Sequence, residues 1–166
     1  MRRQARVLLM VATCVIPTAC ITGFEHPLGS VEEAFIEPNL LGDWTCSAAD
    51  DPTPGVLKIR DFDGKQYYIE SPGSEGDPSH LRALGSRIED VAFLSVREVG
   101  AKDETWTFVE YALSGADHLS LRAVDTAPFE DVIDDAPSVK QRLAEQMQDP
   151  EIIVSSLSCT RVRPRG

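Results

Sequence analysis

Short strand-like segments separated by turn residues run through the middle of the chain, and this pattern limits the possible folds most. Residues 56–62 and 65–70 flank Asp63 and Gly64, a dipeptide that supplies the positive φ angles of a two-residue hairpin turn. We therefore expect these two segments to pair as an antiparallel hairpin.

Further strand-like segments follow after a loop at 71–79. They are expected at residues 80–84, 88–99, 104–113 and 117–124. Gly85 and Ser86 would form the turn between the first two of these segments. Because sequential strands joined by short turns pair with their neighbours, the pattern predicts an antiparallel meander.

One later segment has the pattern of a helix. Ser138 and Gln141 have the spacing of a capping box, and Val139 and Leu143 lie on one helical stripe. The run at 151–162 is strand-like again. The predicted order is therefore a first strand, a meander, one helix and a last strand.

The first 19 residues have the composition of a secretory signal peptide. Three arginines precede an apolar run at 7–16, which is too short to span a bilayer as a helix. The sequence at 17–20 resembles the lipobox of bacterial lipoproteins, in which small residues precede a cysteine that is acylated. Pro17 departs from that pattern, which prefers an aliphatic residue there. The resemblance implies that residues 1–19 are removed and that Cys20 carries the lipid.

This resemblance implies a location in the bacterial cell envelope, with the membrane as a partner through the lipid on Cys20. Ile21, rather than Asp, follows this cysteine, which in Gram-negative sorting is compatible with the outer membrane, facing the periplasm. The alternative is an ordinary signal peptide cleaved nearby, which would leave Cys20 as a plain thiol.

The remaining chain is strongly acidic. Loss of residues 1–19 removes three arginines and no acidic residue, so the formal net charge of −11 becomes −14. Such a polyanion is a poor candidate for binding nucleic acid. We interpret 20–39 as an acidic tether, 40–163 as one β-barrel domain and 164–166 as a tail. Alternatively, the acidic residues of the tether merely keep a secreted domain soluble.

Two cysteines remain if Cys14 leaves with the signal peptide and Cys20 is lipidated. Cys46 and Cys159 would then share an oxidising compartment, in which disulfides persist. A bond between them would make the first and last strands neighbours. Directly opposed residues of these strands would then have numbers that sum to 205.

That register would place Trp44 opposite Arg161. Because side chains alternate along a strand, this pair and the two cysteines would lie on the same face. A guanidinium stacked on an indole ring contributes about 0.5 to 2 kcal/mol. We therefore predict that Trp44 and Arg161 close one end of the fold.

These features resemble the calycin plan of the lipocalins, in which Gly-x-Trp opens the first strand and a basic residue of the last strand packs on the Trp. Here the motif is Gly42, Trp44 and Arg161, after a helical turn expected at 31–36. The resemblance implies a mainly β fold: an antiparallel meander that closes into an approximately eight-stranded lipocalin-like barrel, with one C-terminal helix before the last strand. The second lipocalin motif and the commonest lipocalin disulfide are absent. A partly open sheet wrapped over the helix is the alternative.

An eight-stranded barrel is either filled by side chains or holds one small ligand. We expect a membrane-anchored envelope lipoprotein that binds a small apolar or amphipathic molecule. The candidate cavity lining consists of Tyr67, Trp106, Phe108, Leu119 and Leu121.

The alternative function is that of a protein-interaction lipoprotein with a solid barrel. Loops such as 71–79 and 125–137 would then bind a basic protein, for example a cationic enzyme such as lysozyme. We expect no enzymatic activity, metal site or cofactor, because the three histidines are scattered and no catalytic or nucleotide-binding motif occurs.

Overall fold

The computed structural model describes residues 23–51, 53–73, 77–102, 105–125, 127–129, 136–147 and 149–163. Its eight antiparallel strands form one closed barrel in chain order. They are β1 (Gly42–Ala48), β2 (Gly55–Asp61), β3 (Gln66–Ser71), β4 (Ser79–Ile88), β5 (Val91–Glu98), β6 (Thr107–Ser114), β7 (His118–Val124) and β8 (Ile153–Arg161). The helix α1 (Ala136–Gln146) precedes β8. The predicted fold class is therefore confirmed, and the partly open sheet is wrong.

The first and last strands close the barrel. β1 pairs with β2 on one side and with β8 on the other. Trp44 lies opposite Arg161 and Cys46 lies opposite Cys159, as the register of 205 requires. A disulfide joins the two cysteines across 113 residues of sequence, which confirms the predicted bond.

The predicted hairpin at Asp63 and Gly64 is present, but its turn is longer than two residues. Residues 62–65 separate β2 from β3. The Asp61 carboxylate accepts a hydrogen bond from the Gly64 N–H at 2.7 Å, and the Asp63 carboxylate accepts one from the Gln66 N–H at 2.7 Å. Because these carboxylates bind backbone donors of the turn, the longer loop is stabilised.

The turn predicted at Gly85 and Ser86 is wrong. Both residues lie inside β4, and the chain turns at 89–90, where Glu89 has a φ of 51°. A Cβ on Gly85 would lie 2.5 Å from the carbonyl oxygen of Phe35. The glycine therefore permits a close approach of the N-terminal segment instead of a turn.

Buried side chains form two separate clusters, one on each face of the sheet. The interior cluster contains alternate residues of all eight strands, such as Ala83 and Leu94. The outer cluster lies between the sheet, the N-terminal segment and α1, and includes Phe24, Leu28, Leu84, Phe93, Phe108 and Leu143. β4 and β5 are consequently buried on both faces.

The N-terminal segment, residues 23–41, packs against the barrel. Phe24 exchanges backbone hydrogen bonds of 2.9 and 2.8 Å with Trp106, and its ring stacks on Phe108 with a centroid distance of 4.1 Å. The interpretation of 20–39 as a tether is thus corrected from residue 23 onward.

The sequence reason for this packing lies in a few apolar residues within the acidic run. Leu28 is fully buried, and its N–H donates to the buried Ser95 hydroxyl at 3.0 Å. Ala34 is also buried. Burial of these side chains fixes the segment, while Glu25, Glu32 and Glu33 are exposed. Residues 20–22 and the tail at 164–166 lie outside the described residues.

Replacement of Gly85 by alanine tests the close approach of the N-terminal segment. Because the new Cβ would meet backbone rather than a flexible side chain, we expect G85A to lower the free energy of unfolding by about 1 to 3 kcal/mol. G29A is the matched control, since its Cβ would lie 3.7 Å from the nearest heavy atom. Urea unfolding with equal midpoints for the two variants would contradict this packing.

Candidate functional site

The strand directions give the barrel two different ends. β1 begins and β8 ends at the end that we term the capped end, where the 3-10 turn Pro38–Leu40 packs. β2 begins and β7 ends at the opposite end, which we term the mouth end. The hairpin turns at 62–65, 89–90 and 115–117 all lie at the capped end.

The Arg161 guanidinium holds the capped end together. It donates hydrogen bonds to the carbonyl oxygens of Ala116 at 2.7 Å, Leu41 at 2.7 Å and Asn39 at 2.5 Å. Its Cζ lies 4.2 Å from the centroid of the Trp44 ring. One side chain therefore binds the β6–β7 turn, the N-terminal segment and the first strand.

Trp44 fills the barrel just inside this end. It is fully buried, and its indole N–H donates to the carbonyl of Leu40 at 3.0 Å. Gly42 has a φ of 142°, and a Cβ there would lie 2.5 Å from an Arg161 nitrogen. The glycine of the Gly-x-Trp motif thus makes room for the guanidinium.

Two phenols, those of Tyr67 and Tyr111, belong to the same interior cluster as Trp44. The Tyr67 hydroxyl accepts a hydrogen bond from the Glu37 N–H at 2.6 Å, and burial raises the pKa of this phenol. Burial also raises the pKa of Tyr111, whose hydroxyl has no hydrogen-bond partner among the described residues. Both phenols are therefore neutral at physiological pH. A groove of about 340 Å³, whose lining includes Glu37 and Leu113, opens beside Tyr111 at the capped end.

The mouth end is lined differently. Its interior positions carry aliphatic side chains, four of which are only partly buried: Leu81, Val96, Val109 and Leu157. A groove of about 260 Å³ opens beside the disulfide. It is lined by Cys46, Leu57 and Leu157 and by polar residues that include Ser47, Asp51, Thr53 and Ser71. Apolar interior surface therefore meets solvent here.

The structure divides the predicted cavity lining. Tyr67, Leu119 and Leu121 lie in the interior cluster. Trp106 and Phe108 lie in the outer cluster, so their prediction as lining residues is wrong. Val109 and Tyr111 of the same strand point inward, which directs even-numbered side chains outward, where Phe24 covers Phe108.

Sequence reasoning missed the aliphatic residues of the mouth end. Val109 lies in an aromatic-rich run, and this composition favours the aromatic residues as the predicted lining. The signal that could have found it is alternation. β6 and β7 are antiparallel neighbours with Val109 opposite Ala123 and Tyr111 opposite Leu121, so the inward face of β7 identifies that of β6.

Within the described ranges, no three His, Cys, Asp or Glu side chains are placed to share a metal ion. The same part of the chain contains no helix that is long and apolar enough to cross a membrane. Cys20 lies outside the described residues, so its lipidation stays a prediction. Comparison with known proteins finds no matching family model, no similar curated protein and no similar solved structure.

Replacement of Arg161 tests the capped end. R161M removes three hydrogen bonds and leaves carbonyls unpaired, so we expect the free energy of unfolding to fall by about 2 to 4 kcal/mol. R163M is the control, because Arg163 is exposed and pairs with the Asp117 carboxylate at the surface; we expect a change within about 0.5 kcal/mol. Thermal or urea unfolding that ranks the two variants equally would refute the role of Arg161.

Proposed function

We propose that this chain is a lipocalin-like, lipid-anchored protein of the bacterial envelope that binds a small apolar or amphipathic molecule at the mouth end. The lipid on Cys20 is the anchor, and it holds the protein on the periplasmic side of the outer membrane. The observation that supports ligand binding is the contrast between the two ends. Four aliphatic interior strand residues at the mouth end stay partly exposed, whereas at the capped end Trp44, Ile59 and Tyr67 are fully buried and Leu113 is partly exposed.

The chemistry of the mouth end favours an apolar ligand. The part-exposed interior side chains are Leu and Val, and burial of apolar surface contributes about 25 cal/mol per Å². A groove of about 260 Å³ is slightly smaller than the pockets of drug-sized ligands, so it suits one end of an acyl chain. Asp51, Thr53 and Ser71 would then meet the polar head at the rim.

A second candidate is binding of a cationic protein such as lysozyme by a solid barrel. The observation that favours it is the excess of 27 acidic over 16 basic residues in the chain. This binding would depend on attraction between opposite charges, so its affinity should fall steeply as the salt concentration rises. The affinity for a neutral amphiphile at the mouth end would change little with salt concentration, so the salt dependence of binding separates the two candidates.

Titration of the unlipidated domain with a fluorescent fatty acid tests the ligand proposal. L157W would fill the groove at the mouth end, so we expect its affinity to fall at least about tenfold. L113W is the matched control, because Leu113 is also an interior, partly buried leucine but lies at the capped end; its affinity should stay within about twofold. Circular dichroism establishes that both variants are folded. Absence of saturable binding by the native domain, or equal losses in both variants, would overturn the proposal.

A further inference from the structure

The first described residue of the chain lies at the mouth end. A Cβ on Gly23 would lie 2.5 Å from the Thr105 side chain, so the two residues are in direct contact. Phe24, which follows, exchanges backbone hydrogen bonds with Trp106. Trp106 directly precedes Thr107, where β6 begins, and β6 begins at the mouth end. The N-terminal segment is thus fixed to the barrel at that end.

The distance from this point to Cys20 is short. Three peptide steps separate Cys20 from Gly23, and a fully extended chain spans at most about 3.6 Å per residue. The Cys20 sulfur, which would carry the lipid, therefore lies at most about 11 Å plus the length of one side chain from Gly23 at the mouth end. The eight residues of β5 span about 26 Å, or roughly 20 Å along a barrel axis to which strands tilt. The Cys20 sulfur therefore lies closer to the mouth end than to the capped end.

The rim of the mouth end carries exposed apolar side chains. Val56 near the start of β2 is 46% exposed, Val99 just after β5 is 52% exposed and Val154 near the start of β8 is 59% exposed. Strands two, five and eight are spaced around the barrel, so these valines surround the mouth. Phe62 and Val162 at the capped end are also exposed, at 53% and 42%, so the choice of end rests on where the chain toward Cys20 leaves the barrel and not on these side chains.

We infer that the mouth end rests on the surface of the membrane that holds the Cys20 lipid. The ligand of the mouth end is then an acyl chain of a membrane lipid, which enters directly from that membrane. This inference rests on the proposed function, because it requires both lipidation of Cys20 and binding at the mouth end. The acidic net charge fits a zwitterionic lipid surface better than an anionic one.

Tryptophan quenching by brominated lipids tests this orientation. The full-length protein is produced in a bacterial host, its acylation is established by mass spectrometry, and it is placed in zwitterionic phosphatidylcholine vesicles. V56W and V99W add an indole at the rim of the mouth end, and V162W adds one beyond the end of β8, at the capped end. Each variant is compared with the native chain, in which Trp44 and Trp106 are buried.

We expect brominated lipid to quench the added indoles of V56W and V99W at least about threefold more than that of V162W. A second variant inserts about twelve Gly and Ser residues between Thr22 and Gly23. This insertion should remove most of the preferential quenching, because a flexible linker of that length releases the barrel from the surface. It should also slow uptake of a fluorescent fatty acid from the vesicles at least about fivefold.

The outcomes separate this inference from the proposed function. Equal quenching at both ends, or stronger quenching of V162W, in protein that is acylated and binds fatty acid overturns only the orientation. An unchanged rate of uptake after insertion of the linker overturns entry from the membrane. A mass without acyl chains on Cys20 overturns the proposed anchor and the inference with it.

Discussion

The rest of the structure depends on the contacts that the Arg161 guanidinium makes at the capped end. Its hydrogen bonds reach two carbonyls of the N-terminal segment and one of the β6–β7 turn, and its face lies on Trp44. A guanidinium offers five donors and stays charged, so it can bind several carbonyls where a neutral side chain would leave some unpaired. Parts of the chain that are 120 residues apart are joined at this point.

The two ends of the barrel differ in the burial of their interior side chains. Trp44 and Tyr67 are fully buried near Arg161, whereas the interior side chains Leu81, Val96 and Val109 at the mouth end are partly exposed. The N-terminal segment is fixed at both ends of the barrel, by Leu41 at the capped end and by Phe24 at the mouth end. The same segment therefore closes the barrel and sets where the chain toward Cys20 leaves it.

The closure could be predicted from the sequence because two cysteines set a register, and a register specifies every opposed pair of two strands. Cys46 opposite Cys159 required Trp44 opposite Arg161, and the structure has both pairs. The strand order was predictable for a similar reason, since turn residues separate the segments.

Other features could not be predicted because both faces of some strands are buried. In β6, Phe108 faces outward under Phe24 while Tyr111 faces inward, so aromatic content does not identify the interior. Gly85 has the same ambiguity, because a glycine marks a turn or a close approach equally well, and here the approach comes from Phe35, 50 positions earlier in the sequence. The packing of the N-terminal segment could not be predicted, because the acidic composition of this segment indicates a solvated chain.

Hydrogen exchange of the Trp44 indole N–H, followed by NMR, tests the capped end most directly. This proton is buried and donates to Leu40 beneath the guanidinium. The structure predicts exchange only through global unfolding, with a protection free energy equal to the unfolding free energy and the same dependence on denaturant. Fast exchange that does not depend on denaturant would show that the capped end opens locally, and would contradict the account.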